Sequence, residues 1–132
     1  MNSNELTKLR KDLIYLKDKH DVVLFGSHVE GGIRPISDID IAILSLDKDR
    51  DKNLKLYEEL LGKFPLKFDI HVFELFPIYI QISIIENYLV VFGDLLEISE
   101  YFYEFRKIWD DCKYRILSNQ FSSNKERLSL LK

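Results

Sequence analysis

Three aspartates and one tight glycine-serine bend carry the chemistry this sequence could perform. Gly26 and Ser27 close a short apolar run (22–25), and beyond the ten residues that follow Ser27 come Asp38 and Asp40 on either side of Ile39. The acids lead into a second apolar run (41–44), and a third run (67–73) holds Asp69 at its middle. Side chains on a strand alternate faces, so Asp38 and Asp40 point one way while Ile39 and Ile41 point the other. Two neighbouring carboxylates repel and are costly to bury without a cation. Mg2+ is the natural counter-ion, because it takes hard oxygen ligands and is commonly held by one or two carboxylates plus substrate phosphates. If the third strand lies beside the second, Asp69 completes the cluster, either as a metal ligand or as acceptor of the proton from an attacking hydroxyl. Two ions held this way would stabilise the attacking oxygen, the α-phosphate and the leaving pyrophosphate together.

The bend supplies the other half of such a site. Glycine after a strand lets the backbone approach a phosphate, and a following helix start offers free N–H groups to the anion. The Ser27 hydroxyl adds a donor, and Arg34 is the nearest fixed cation, able to pair with phosphate in bidentate fashion. Gly-Ser alone means little, and Asp-x-Asp recurs by chance in an aspartate-rich chain, where it is often only a solvated strand end. Strand, bend, spacing and third acid in this order point to metal-dependent nucleotidyl transfer.

The elements that must position these residues are legible in outline. Leu6, Leu9, Leu13 and Leu16 recur at steps of three and four, which predicts an amphipathic helix over 5–19 with Asn4 as its cap. The apolar runs predict strands at 22–25, 39–44 and 68–73. A helix is expected over 54–64, stopped by Pro65, with a charged surface loop (47–52) before it. Pro77 can open a helix over 78–87, since its missing N–H costs nothing in the first turn, and 88–92 can form a fourth strand. Ile98, Phe102, Phe105, Trp109, Cys112 and Ile116 alternate at four and three, predicting a long last helix over 95–117 that packs against the body or a partner. The expected fold is α/β (α+β): a small mixed sheet with helices mainly on one face and the acids at an exposed edge. The whole chain (1–132) reads as one domain, with a core over about 20–92, the long helix, and a polar tail over 118–132.

Composition narrows the function classes. The chain has 132 residues, is 46% hydrophobic and 31% charged, and carries a net charge of −3, which suits a soluble globular protein and argues against an extended nucleic-acid footprint. Its lone Cys112 fits a reducing compartment. The polar start and the absence of any apolar run near ~20 residues predict no membrane span and a cytoplasmic location.

With these residues in hand, the sequence resembles the DNA polymerase β-like nucleotidyltransferase superfamily, and its Gly26-Ser27-(ten)-Asp38-Ile39-Asp40 spacing is similar to that of the minimal nucleotidyltransferases (MNT), many of them antitoxins to HEPN-type ribonuclease toxins. The resemblance covers about residues 20–92. It implies an ATP-dependent adenylyltransferase that silences a HEPN toxin by attaching AMP to one of its tyrosines. On that reading Asp38 and Asp40 hold Mg2+, Asp69 assists the incoming hydroxyl, and Gly26 and Ser27 grip the triphosphate; Arg34 and Ser37 also match what the branch often shows. The chain departs from the branch at His28 and Glu30, where relatives carry basic residues. The toxin's own Arg-(four to six)-His motif is absent, so this chain is not the nuclease.

Two alternatives stand beside this reading, the first of a different class. Glu30 favours a binding antitoxin with a degenerate site. A nucleotidyltransferase acting on a small hydroxylated molecule such as an aminoglycoside is the other, although 132 residues leave little room for an acceptor domain. His71 shares a face with Asp69 and reads as a hydrogen-bonded structural histidine rather than one that orients a metal-binding carboxylate; His28 fits a nucleotide contact and a surface position equally. The aromatic set Tyr101, Phe102, Tyr103, Phe105, Trp109 and Tyr114 reads as core packing, dense enough to add an interface for a toxin or a second copy.

Overall fold

The computed structural model describes residues 3–26, 29 and 39–130, with side chains as far as residue 115. Among them, the elements run α1 (Ser3–Asp12), β1 (Asp21–Phe25), β2 (Ile39–Leu44), α2 (Arg50–Leu60), β3 (Phe68–Val72), α3 (Ile78–Glu86), β4 (Leu89–Phe92) and α4 (Leu95–Leu130). The sheet order is β3-β2-β1-β4. β1 is antiparallel to both β2 and β4, whereas β2 and β3 run parallel. A mixed sheet with a long C-terminal helix is the architecture expected from the sequence.

The helices occupy both faces of the sheet, more evenly than the expected arrangement of helices mainly on one face. Val22, Leu24, Ile41 and Ile43 pack with Leu9, Leu13, Leu16 and Leu60. Their chain neighbours Val23, Ala42 and Leu44 pack instead with Phe73, Ile82, Ile84, Ile85, Ile98 and Phe102. The runs in β1 and β2 are unbroken rather than alternating, which is the pattern of strands buried on both sides.

Local chemistry moves several boundaries. The leucine repeat of α1 leaves the α-helix after Asp12 and tightens into a 3-10 turn, Ile14–Leu16, that still buries Leu16. Asp18, at φ 67°, then reverses the chain, a left-handed conformation that a short polar side chain tolerates. α2 begins at Arg50 because the Asp49 carboxylate accepts from the N–H groups of Asp51 and Lys52, so part of the expected charged loop is a capped first turn. α4 is capped the same way, by Asp94 accepting from Leu96 and Glu97, and it runs to Leu130, past the expected end at 117.

One carboxylate ties the sheet to α4. Glu74 accepts from the backbone N–H groups of Ser45 (3.0 Å) and Leu46 (3.1 Å) and from the Tyr101 hydroxyl (2.6 Å). Burial, and then this bond to Glu74, push the Tyr101 phenol above its ordinary range, so it remains a donor. Phe73, Tyr101, Phe102 and Phe105 form one ring cluster beneath, while Tyr103 and Tyr114 stand exposed. The aromatic stripe is thus core on one side of α4 and solvent-facing on the other.

Candidate active site

The parallel register of β2 and β3 sets the site. Asp40 and Asp69 are direct partners in the ladder, each the second residue of its strand, and Phe25 of β1 sits opposite Asp40 on the other side. The next row on the same face is Val23, Ala42 and His71. Alternation therefore brings Asp40, Asp69 and His71 to one face, at the end of the sheet where β1 finishes.

Gly26 turns the chain immediately after Phe25. Its φ of +83° favours glycine, and a side-chain carbon built there would run into the Asp40 carboxylate. Val29 N–H donates to the Gly26 carbonyl at 3.1 Å, closing the bend. Glycine is needed here twice over, for the turn and for the acid beside it.

The carboxylate oxygens of Asp40 and Asp69 and a ring nitrogen of His71 all lie within 4.8 Å of one another. That span is comparable with two donors sharing one ion at about 2.0–2.6 Å each, so the trio fits a divalent cation. His71 Nε2 is 2.9 Å from Asp69 Oδ2, with the two side chains 28% and 46% exposed. The imidazole also rests against Phe76 (centroids 5.0 Å apart) and near Phe25 (6.3 Å). Of the residues the sequence singles out, Gly26, Asp40 and Asp69 are brought together; Ser27, His28, Glu30, Arg34, Ser37 and Asp38 lie outside the described residues. His71, read as structural, joins the acids. The signal for it was its two-residue offset from Asp69 on a strand.

A separate concavity of about 360 Å3 lies at the opposite end of β1, lined by Lys17, Asp18, His20, Asp21, Ser45 and Gly93 among others. It is remote in register from the acids. Burial pushes His20 below and Asp21 above their ordinary values there.

A mixed sheet flanked this way, ending in a long helix, defines a nucleotidyltransferase-like α+β fold. The chain belongs to the polymerase beta nucleotidyltransferase family, whose model matches residues 8–94. It is a nucleotidyltransferase. A curated relative from Methanocaldococcus jannaschii, named "Putative protein adenylyltransferase", is 45% identical over 109 residues, covering 83% of this chain and 84% of the relative. Among solved structures, a chain of a toxin-antitoxin complex with AMP-PNP superposes with a TM-score of 0.65 at 19% identity, covering 93% of this chain and 98% of that one. A tri-AMPylated Shewanella oneidensis HEPN toxin in complex with an MNT antitoxin gives a TM-score of 0.63 at 18% identity, with the same coverage. At these identities the structural likeness is one of fold. Among the described residues no helix is long and apolar enough to cross a membrane.

Proposed function

We propose that this chain is a protein adenylyltransferase that moves AMP from ATP to a tyrosine of a HEPN-type toxin and so acts as its antitoxin. The observation that carries the reading is the in-register pairing of Asp40 with Asp69 beside the Gly26 bend. The M. jannaschii relative's name supports protein as the acceptor class, and the fold shared with toxin-antitoxin complexes supports a HEPN partner.

Asp40 and Asp69, together with Asp38, would hold Mg2+, three carboxylates suiting two ions. Bound there, the metal would offset the charge of the triphosphate and of the attacking oxygen. The Gly26 bend, with Ser27, Arg34 and Ser37, would seat the phosphates. Asp69, with its side chain 46% exposed, is open to an incoming hydroxyl and would accept its proton. The tyrosine oxygen then forms a bond to the α-phosphorus as the bond from that phosphorus to the bridging oxygen breaks, and pyrophosphate leaves.

The test is incubation with ATP, Mg2+ and the cognate HEPN protein, read by intact mass. The partner should gain AMP with the parent chain and remain unmodified with Asp40→Asn. An unmodified partner in the presence of folded, metal-loaded parent would overturn the proposal.

A further inference from the structure

We infer that His71 is a metal ligand of this site, through Nε2, and that it tunes the site toward a divalent transition ion such as Mn2+ over Mg2+. The inference rests on the nucleotidyl-transfer reading of Asp40 and Asp69. Three observations carry it.

The first is convergence. A ring nitrogen of His71 sits within the same 4.8 Å cluster as the two carboxylates, and Nε2 is the one 2.9 Å from Asp69, with no backbone rearrangement needed. The second is the seat of the ring. Ala42 is the direct neighbour of His71 on β2, and its methyl leaves room for the imidazole to pack in a three-ring cluster with Phe76 and Phe25, which also touch each other. A ring packed into that cluster points Nε2 toward Asp69, 2.9 Å from its Oδ2. The third is the donor type. Two carboxylates alone are a hard oxygen set, the kind Mg2+ prefers; adding imidazole makes a mixed nitrogen and oxygen set that suits first-row transition ions better. A histidine holding Asp69 only by hydrogen bond would leave the set all-oxygen and the preference unaltered.

The decisive readout is spectroscopic and independent of turnover. Protein carrying 15N-labelled histidine is loaded with Mn2+ without nucleotide and examined by pulsed electron paramagnetic resonance. A directly bound imidazole should give a 15N hyperfine coupling that persists in His28→Gln and disappears in His71→Gln. In parallel, His71→Gln should weaken Mn2+ binding by about tenfold to a hundredfold while holding Mg2+ affinity within about threefold. Because the coupling is read on the parent chain, the inference stays testable if the variant folds poorly. Bound Mn2+ that is lost in Asp40→Asn but shows no histidine coupling would overturn this inference and leave the nucleotidyl-transfer reading standing. A parent chain that takes up no divalent ion, with or without ATP, would overturn both.

Discussion

Gly26 and Asp40 occupy one another's space: a methyl group at Gly26 would meet the Asp40 carboxylate, and the glycine's φ of +83° is one that few other residues adopt. The bend that would receive phosphate and the acid that would hold metal are therefore one mechanical unit. Phe25, paired with Asp40 across β1 and β2, fixes their relative height. A change at the glycine should be felt first as a displaced carboxylate.

Gly26→Ala should accordingly lower AMP transfer by at least about a hundredfold, since displacements of an ångström carry that cost. It should also destabilise the fold by about 1–3 kcal/mol from the left-handed backbone. Steady-state transfer and thermal melting check the two effects separately.

Divalent ions should stabilise the folded chain through the acids. At about a hundredfold excess over the dissociation constant, Mg2+ or Mn2+ should add about 2.7 kcal/mol, read as a melting temperature several degrees higher than in chelator. Asp40→Asn and Asp69→Asn should abolish the metal-dependent part, and each should cut transfer by about a thousandfold or more.

Glu74→Ala should destabilise the chain without touching the acids. It strands the N–H groups of Ser45 and Leu46 and the Tyr101 hydroxyl, all of which donate to that carboxylate. Losing hydrogen bonds to a charged group costs about 1.5–3 kcal/mol apiece, and because they share one acceptor about 3 kcal/mol is expected in total. Denaturant unfolding reads it directly.

Asp21→Asn should raise stability at neutral pH by up to about 1 kcal/mol, modest because the group is partly solvated. Burial raises the folded-state value of Asp21 above 3.8, with His20 opposing and Asp94 reinforcing the shift. A raised value means the native state binds the extra proton, so the contribution is fully present below 3.8 and is lost as pH rises through the folded value. The advantage of the asparagine should therefore shrink toward zero as pH falls to that region. His20 runs the other way: burial lowers it from 6.5, so its contribution is present above 6.5 and is lost as pH falls through the depressed value. Melting curves across pH for parent and variant check the signs.

The strands were legible because β-branched runs mark them: β2 falls at 39–44 as expected and β1 begins one residue early. That Asp69 shares a face with His71 is readable from alternation, but the register that sets Asp69 beside Asp40 is not, since nothing in 67–73 says which residue of β2 it pairs with. The leucine repeat predicted burial of Leu13 and Leu16 correctly while overstating the helix, because a 3-10 turn can bury nearly the same stripe. The charged run 47–52 hides the start of α2, whose sequence cue is Asp49 as a cap. The unbroken runs in β1 and β2 imply cover on both faces of the sheet, a cue for the second packed face beyond the expectation of helices mainly on one. His71 lies on the face that its two-residue offset from Asp69 predicts, while its ring orientation depends on Phe25, Phe76 and the small neighbour Ala42, which meet only in the folded chain.

The most direct measurement uses ATP labelled at either the α- or the γ-phosphate, with the HEPN partner and Mg2+. Adenylyl transfer through Asp40 and Asp69 predicts that α-label stays with the partner protein, that γ-label leaves as pyrophosphate, and that neither is retained with Asp40→Asn. Retention of γ-label, or α-label transfer undiminished in Asp40→Asn, would contradict the account.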